Sequence, residues 1–372
     1  LFYSNYLKKR GISFHVGNFP TLEAGKEFLS IITIPSYSES EYLGITLNSL
    51  NEQLDFNLSN LLVIVVVNNS VNDSRNIIDD NIKTIELIQN FKSNYNLTYI
   101  DASTKNNALP DNLSGVGYAR KIGMDFALKY SNGNTILHCL DADTIVSPLY
   151  LSKITNSYQL NKARALIVDF EHQMDSSEEF NKHIKDYENF LKKTAENINK
   201  SGSPYGYVAL GPTITCLAWT YVKVGGMVRK KATEDFYFLQ QIRKFTNIYF
   251  LNEKLVFPSS RLSDRVYLGT GFRMNQSIKG EKIKNLYYSE DSFKILRKSI
   301  VSILSLYNET SISLKKELLS IDSSLNLFFL KEGLFDVWEK INKESKTAHQ
   351  FELQFHKWFD NLKTLRLLKF YS

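Results

Sequence analysis

The segment Leu137-His138-Cys139-Leu140-Asp141-Ala142-Asp143 closes an apolar run with two carboxylates one residue apart. Asp side chains at i and i+2, displayed where a buried strand runs out, can reach one hard divalent cation and the phosphate oxygens that it neutralises. A nucleotide-activated substrate is the implied chemistry. Taken alone, the pair is more simply a solvated loop, since carboxylates are ordinarily exposed. A second acidic pair, Glu234-Asp235, stands ahead of the helical pattern Phe236, Leu239, Ile242 and Phe245. Acidic residues suit a first helical turn for dipole reasons, yet beside a metal-bound nucleotide a carboxylate there can remove a proton from an acceptor hydroxyl.

Elements able to position these residues follow from the apolar spacing. Short β-branched runs at 29–34, 61–67, 97–100 and 135–140 alternate with amphipathic segments, the mark of βαβ units and a mainly parallel sheet. Leu43, Leu47, Leu50 and Leu54 fall at helical spacing, with Ser40 as the expected cap and Glu41 in the first turn. Ala119, Ile122, Phe126 and Tyr130 repeat the pattern, and Pro148 suits the first turn of another helix. A strand over 163–170 and a polar helix over 176–200 come next, and Gly225-Gly226 breaks the chain after the segment 205–217. From about Lys284 the strands stop, and Ile295, Ile300, Ile303, Leu304 and later leucines recur at helical spacing through Leu368. The aromatic stretch 351–370 carries Lys357, Lys363, Arg366 and Lys369; it suits packing against the main domain, with a membrane surface as the second use.

Ligands of open α/β sheets bind beyond the carboxyl ends of the strands, and this chain collects its polar residues there. The first strand runs into Pro35-Ser36-Tyr37-Ser38-Glu39, the second into Asn68-Asn69-Ser70-Val71-Asn72-Asp73, the fourth into Asp141-Ala142-Asp143 and the fifth into Glu171-His172. Each cluster singly is a solvated turn; four at one edge form a candidate site. Gly115-Val116-Gly117-Tyr118-Ala119-Arg120 has the look of a dinucleotide loop, but it does not follow a strand tightly and the first strand carries no glycine, which disfavours a Rossmann dehydrogenase. The better reading is a helix entry that turns Arg120 toward the ligand edge.

Composition limits the class. The 372 residues are 43% hydrophobic and 23% charged, as in a globular protein of two or three domains, and the net charge of +6 forms no long basic run. That charge suits anionic substrates or a membrane surface better than nucleic acid, and none is expected as a partner. Cys139 and Cys216 lack metal-ligand or redox spacing and fit buried thiols of a reducing compartment. No apolar run approaches the roughly 18 residues that span a bilayer, and the first ten residues lack the shape of a signal peptide. The chain starts at Leu1 rather than Met, which leaves room for an upstream segment.

With these residues in place, the chain resembles a family 2 glycosyltransferase, the inverting type with a nucleotide-sugar-binding GT-A fold. The likeness runs over 29–274 and rests, in order, on Ile34 to Glu39, Val65 to Asp73, Gly117-Tyr118-Ala119-Arg120-Lys121-Ile122-Gly123, Leu140 to Asp143 and Thr233-Glu234-Asp235. The resemblance implies an α/β fold of the GT-A type, a mainly parallel sheet flanked by helices, with a helical C-terminal region. The expected divisions are an N-terminal extension at 1–28, the GT-A domain at 29–283 and the helical region at 284–372. It further implies Mn²⁺ or Mg²⁺ on the donor diphosphate, held by Asp141 and Asp143. Asp235 becomes the base, and Glu234 contacts the acceptor or fixes the helix start. Pro35, Tyr37, Glu39, Asn68, Asn69, Arg120 and Ala142 complete the expected donor site.

Departure of a nucleoside diphosphate develops negative charge that a cation and a guanidinium stabilise. Arg120 is the candidate, with Arg261 and Arg265 in a phosphate loop. Family members often carry Asp-Asp-Gly-Ser where this chain has Asn68-Asn69-Ser70, and an amide offers both donors and acceptors to a base edge, so UDP, GDP and dTDP sugars all stay open. The acceptor, a glycan or glycolipid hydroxyl, is expected to meet Glu171, His172 and Trp219. Tyr205, Tyr207 and Tyr221 fit the core at least as well as a sugar platform, and His172 has the metal as an alternative. A cytoplasmic enzyme of glycan or cell-surface polysaccharide assembly, peripheral at the inner face of the membrane, is the expected setting. Two alternatives compete: a sugar nucleotidyltransferase, which ordinarily shows a glycine-rich loop with Arg and Lys where this chain has Pro35-Ser36-Tyr37, and a non-catalytic nucleotide-sugar binder, which needs no base.

Overall fold

The structure is a computed structural model that describes the chain apart from residues 13–21, 23, 24, 176, 263–268 and 280–282, and apart from the side chains of residues 278 and 284. By its contacts the chain divides into two compact units, Leu1–Asn181 with Ala209–Asn275 and Lys182–Val208 with Gln276–Ser372.

In the first unit the β-branched runs become strands covered on both faces, which is why they read as unbroken apolar stretches. Helix α1 (Ser4–Arg10) precedes β1 (Ser30–Ser36), α2 (Leu43–Asn51), β2 (Leu61–Asn68), α3 (Arg75–Asn90), β3 (Asn96–Ala102), α4 (Val116–Ala127), β4 (Ile136–Cys139) and β5 (Ile145–Val146). Then come α5 (Tyr150–Asn161), β6 (Ala165–Phe170), α6 (Glu178–Lys200), β7 (Ile214–Leu217), α7 (Ala218–Lys223), α8 (Glu234–Phe245), β8 (Tyr249–Phe257) and α9 (Thr270–Ile278). One eight-stranded sheet has the order β3-β2-β1-β4-β7-β6-β8-β5. The β3-β2-β1-β4 block is parallel throughout, β6 and β8 are parallel to each other, and β7 and β5 run antiparallel to their neighbours. The chain moves outward from β1 to β3 and returns to β4 on the other flank of β1, so the switch point lies between β1 and β4. This is the GT-A type of α/β architecture that the resemblance implies.

Two local expectations are corrected. Ser40 does not cap α2: its hydroxyl donates to Asp80 Oδ1 at 2.5 Å on α3, while the Glu39 carbonyl accepts from Tyr42 and Leu43 at the helix entry. Pro148 precedes α5 instead of lying in its first turn, and its carbonyl accepts from Leu54 N at 2.7 Å, just past the end of α2. The strand β8 was not evident in the sequence because most of its residues are exposed or partly exposed.

The second unit is helical. Besides residues 182–200 of α6, it holds α10 (Glu290–Ser305), α11 (Ser311–Ile321), α12 (Ser323–Lys331), α13 (Leu334–Glu344), α14 (Ala348–Trp358) and α15 (Asn361–Phe370). Ser289, Thr310, Asp322, Thr347 and Asp360 cap five of these helices through side-chain oxygens that accept first-turn N–H groups. Phe351, Phe355, Phe359, Leu367 and Leu368 face the interior of this unit, beside Trp338, whose indole N–H donates to the Glu309 carbonyl at 2.9 Å. The aromatic stretch of the last helices thus serves a core. No helix among the described residues is long and apolar enough to cross a membrane.

Helix α4 lies tight on the sheet at Gly123. A Cβ there would be driven into Thr33 Cγ2 on β1 and would lie 2.9 Å from Val66 Cγ2 on β2. Gly123→Ala is therefore expected to lose roughly 1–3 kcal/mol of stability through overpacking, read as a lower urea midpoint with an unchanged slope; an unchanged midpoint would mean that the helix can shift freely.

Candidate active site

Glycines bring two helix starts together over the carboxyl edge of the sheet. A Cβ on Gly117, in the first turn of α4, would run into the Lys230 carbonyl and lie 2.7 Å from Glu234 Cβ. The helices can approach this closely because that atom is missing. Arg120 follows one turn later, 3% exposed, and its guanidinium packs where a Cβ on Gly211 would come within 2.6 Å of Nη1. Nη2 donates to Asp141 Oδ1 and Nη1 to Glu234 Oε1. One buried cation thereby ties the first carboxylate of Asp-x-Asp to the first residue of α8.

Burial and like charge set the electrostatics of α8. Desolvation pushes the Glu234 carboxyl up to about 7, against the pull of Arg120 and with a further push from Asp235. Asp235 is also raised, by burial first, with Arg120 opposing and Asp141 adding to the rise. It is the more accessible of the two, partly exposed, and one of its oxygens accepts from its own helix at Phe236 N, 2.7 Å. The helix starts from Thr233 in the left-handed region, φ 66°, a conformation that costs a β-branched residue energy and fixes the exit of the acidic pair.

A second guanidinium organises the other half. Arg261, following β8, pairs with Glu39 and lies 2.9 Å from Asp143 Oδ2, with its plane over the Tyr42 ring at 4.2 Å. Burial pushes Asp143 up to about 6 despite Arg261, with Asp141 and Glu39 adding repulsion. The turn between the Asp residues is held from below: Thr46 Oγ1 donates to the Ala142 carbonyl at 2.8 Å, and Gln173 Nε2 to the Asp143 carbonyl at 2.9 Å. Thr46, Gln173, Gly117 and Gly211 carried no signal of this role in the sequence beyond the glycines themselves.

Other expected residues occupy varied places. Pro35 lies in β1, and Tyr37, just past its end, donates to Asp73 Oδ1 at 3.1 Å. Asn69 is fully buried, its amide donating to the Ser70 carbonyl and accepting from Asn81, and Asn68 donates to the Ser114 carbonyl at 3.3 Å. These two amides brace the loop after β2. Glu171 pairs with Lys254 at 2.9 Å, and the buried His172 lies 3.2 Å from Thr270 Oγ1, both at the carboxyl edge. Trp219 lies at the opposite edge: β7 runs antiparallel to β4, so the chain beyond it returns to Gly133, whose carbonyl accepts from Trp219 N at 3.1 Å. There the indole packs between Arg164, Lys223 and Phe245. Tyr221 is buried in the first unit and donates to Asp125 at 2.8 Å; Tyr205 and Tyr207 belong to the second unit. Arg265 lies outside the described residues.

Removing the Arg120 charge leaves Asp141 and Glu234 without their shared counterion, a loss of about 3–5 kcal/mol for a broken buried pair. A carboxyl with a raised folded pKa contributes stability that is full below its unfolded value and is lost as pH rises, here through about 7 for Glu234. Arg120→Met is thus expected to melt well below wild type at pH 8, with a smaller gap at pH 5, where protonation relieves the repulsion. A gap of equal size at both pH values would contradict the charge argument.

A family model described as Glycosyl transferase family 2 matches residues 31–217, just over half of the chain. No curated protein matches the sequence. Among solved structures, S. aureus TarS 1-349 in complex with UDP-GlcNAc is similar at 13% identity and a TM-score of 0.47, over 88% of this chain and 90% of that one. The mannosyltransferase PcManGT from Pyrobaculum calidifontis, in complex with GDP-Man and Mn2+, is similar at 11% identity and a TM-score of 0.43, over 95% and 91%. With the family's segment running from β1 through β7, and so across the Asp-x-Asp turn, this chain belongs to glycosyl transferase family 2 and is a glycosyltransferase.

Proposed function

We propose that the protein is a metal-dependent, inverting glycosyltransferase that moves a sugar from a nucleotide-sugar donor to a hydroxyl of a glycan or glycolipid, in the assembly of a glycan or cell-surface polysaccharide. The observation that carries this reading is the Arg120 bridge, which joins Asp141 to the Glu234-Asp235 pair in one site.

Charge and donor chemistry support a divalent cation. Glu39, Asp141, Asp143, Glu234 and Asp235 supply five carboxylates against the two guanidinium groups of Arg120 and Arg261, an excess of three negative charges when all are ionised. A nucleoside diphosphate would be repelled from such a pocket. Asp141 and Asp143 offer the hard oxygens that Mn²⁺ or Mg²⁺ prefers, and these two residues would hold it. When bound, the ion neutralises the diphosphate and eases its departure. Among the described residues no group of three or more His, Cys, Asp or Glu is arranged around one ion position.

The protein's own groups divide the remaining work. Arg120 is a positioning residue, because both of its terminal nitrogens are engaged and it is almost wholly buried. Arg261, with about a quarter of its side chain exposed, is able to turn from Asp143 and Glu39 toward the leaving phosphates. Asp235 accepts the proton of the attacking hydroxyl as the new bond forms on the face of the anomeric carbon opposite the departing diphosphate. One displacement inverts the centre and needs no covalent intermediate. Asp235 holds its proton to a higher pH than an ordinary carboxyl, so activity falls on the acid side at a pH above the usual aspartate range.

Asp235→Asn is expected to lower kcat at least a hundredfold, the usual weight of general base catalysis, with donor affinity retained; full turnover in that variant would sink the mechanism. For the donor, melting curves with UDP, GDP, dTDP and CMP, with and without Mn²⁺, are expected to show a metal-dependent rise for one nucleotide class. Asp141→Ala with Asp143→Ala is expected to abolish the rise. No rise with any nucleotide would count against the donor site.

A further inference from the structure

The Gly225-Gly226 break has a structural use apart from the site above. Both residues are left-handed, with φ 89° and 76°. A Cβ on Gly226 would run into Tyr6 Oη, and one on Gly225 into the Arg10 guanidinium. The bare turn is where α1 docks. Behind it a buried network holds the outer face of α4: Lys121 Nζ donates to Tyr6 Oη at 2.6 Å and lies 3.0 Å from Asp125 Oδ2, while Tyr6 and Tyr221 both donate to Asp125 Oδ1, at 2.7 and 2.8 Å.

This docking creates a cleft of about 400 Å³ lined by Lys9, Arg10, Lys121, Gly225, Met227 and Arg229 among others, with no acidic residue among the described residues of its lining. Four cations from three separate segments meet there. The basic end of α1 has an ordinary explanation in the helix dipole, but Lys121 on α4 and Arg229 beyond the glycine turn do not share it. Asp125 is the only carboxylate in the network behind them, and among the described residues neither Arg10 nor Arg229 makes an ion pair; Arg229 Nη2 reaches no more than the Arg10 carbonyl, at 3.4 Å. Burial lowers the Lys121 pKa, and Arg229 and Arg10 lower it further, opposing Asp125, which places the three positive charges within reach of one another. An ammonium has three protons. Two of those on Lys121 go to Tyr6 and Asp125, and the third has no partner among the described residues.

We infer that this cleft binds a phosphoryl group, with Arg10 and Arg229 as the paired guanidinium ligands, Lys9 as an outer charge and Lys121 as the buried donor at its floor. Guanidinium pairs suit the tetrahedral, multiply anionic phosphoryl oxygens. The volume falls within the range of roughly 300–1,000 Å³ usual for small-ligand sites, so a small phosphorylated compound would fit. The same chemistry has two sources, a soluble phosphorylated compound or the headgroup of an anionic lipid. The inference is independent of the donor reading, because no residue of the cleft touches Asp141, Asp143 or Asp235.

The test is titration calorimetry of the whole chain with inorganic phosphate in chloride at matched ionic strength, on wild type and on Arg10→Ala with Arg229→Ala. Saturable binding is expected, weakened at least tenfold in the alanine pair, with the Arg10→Lys, Arg229→Lys pair, which keeps the charge but loses the fork, intermediate between the two as evidence that the fold survives. A second arm sediments the protein with phosphatidylcholine vesicles, with and without phosphatidylglycerol. Co-sedimentation that needs phosphatidylglycerol and is lost in the alanine pair assigns the site to a lipid headgroup; phosphate binding without co-sedimentation assigns it to a soluble ligand. Absence of both, or phosphate binding of equal strength in the alanine pair, overturns the inference.

Discussion

The site depends on a single buried cation. Arg120 is held between Asp141 and Glu234 with almost no exposure, and the buried Glu234 tolerates its place because the guanidinium is there, while Asp141 stays partly exposed. The glycines at 117 and 211 are what that arrangement demands of the backbone: one admits α8 against α4, the other leaves room for the flat face of the guanidinium. The strained Thr233 completes the constraint by directing the acidic pair inward. Removing any of these members would misplace both ends of the site at once.

The two arginines do different work although each spans two carboxylates. Arg120 has about 4% of its side chain exposed, Arg261 about 23%, and Arg261 leans on an aromatic ring where Arg120 is locked by backbone and glycine. A locked guanidinium defines geometry, and one about a quarter exposed has room to exchange partners. Glu39 and Asp143, which meet the second arginine, come from either flank of the sheet's switch point, so charge there is shared across the crevice where open α/β sheets take their ligands.

Much of this was legible in the sequence, for local reasons. Period and β-branching mark buried strands, and polar residues at their ends mark an edge, so the Asp141-Asp143 turn, Arg120 and Glu234-Asp235 stand out in the sequence itself. Strand direction has no such signature: β7 turns back against β4, and that reversal carries Trp219 to the far edge of the sheet. Side-chain destination is equally hidden. Asn69 looks like a base reader by position, but Asn81, twelve residues on, captures its amide. The partnership of Arg261 with Glu39 spans more than two hundred residues and depends on where β8 enters the sheet, which its half-exposed pattern conceals.

The segment that the family model matches ends at Leu217, sixteen residues before the strained turn that begins α8. Arg120 reaches forward across 114 positions to Glu234 and across only 21 to Asp141. During synthesis the chain therefore passes through a stage in which the sheet as far as β7 has been made but the buried guanidinium has met only one of its two counterions. Paired with Asp141 alone, the guanidinium is balanced in charge, but its Nη1 has not yet met Glu234. The second counterion thus arrives with α8, after β7 and ahead of β8, which completes the sheet, and the segment that the family model matches is shorter than the stretch holding both counterions.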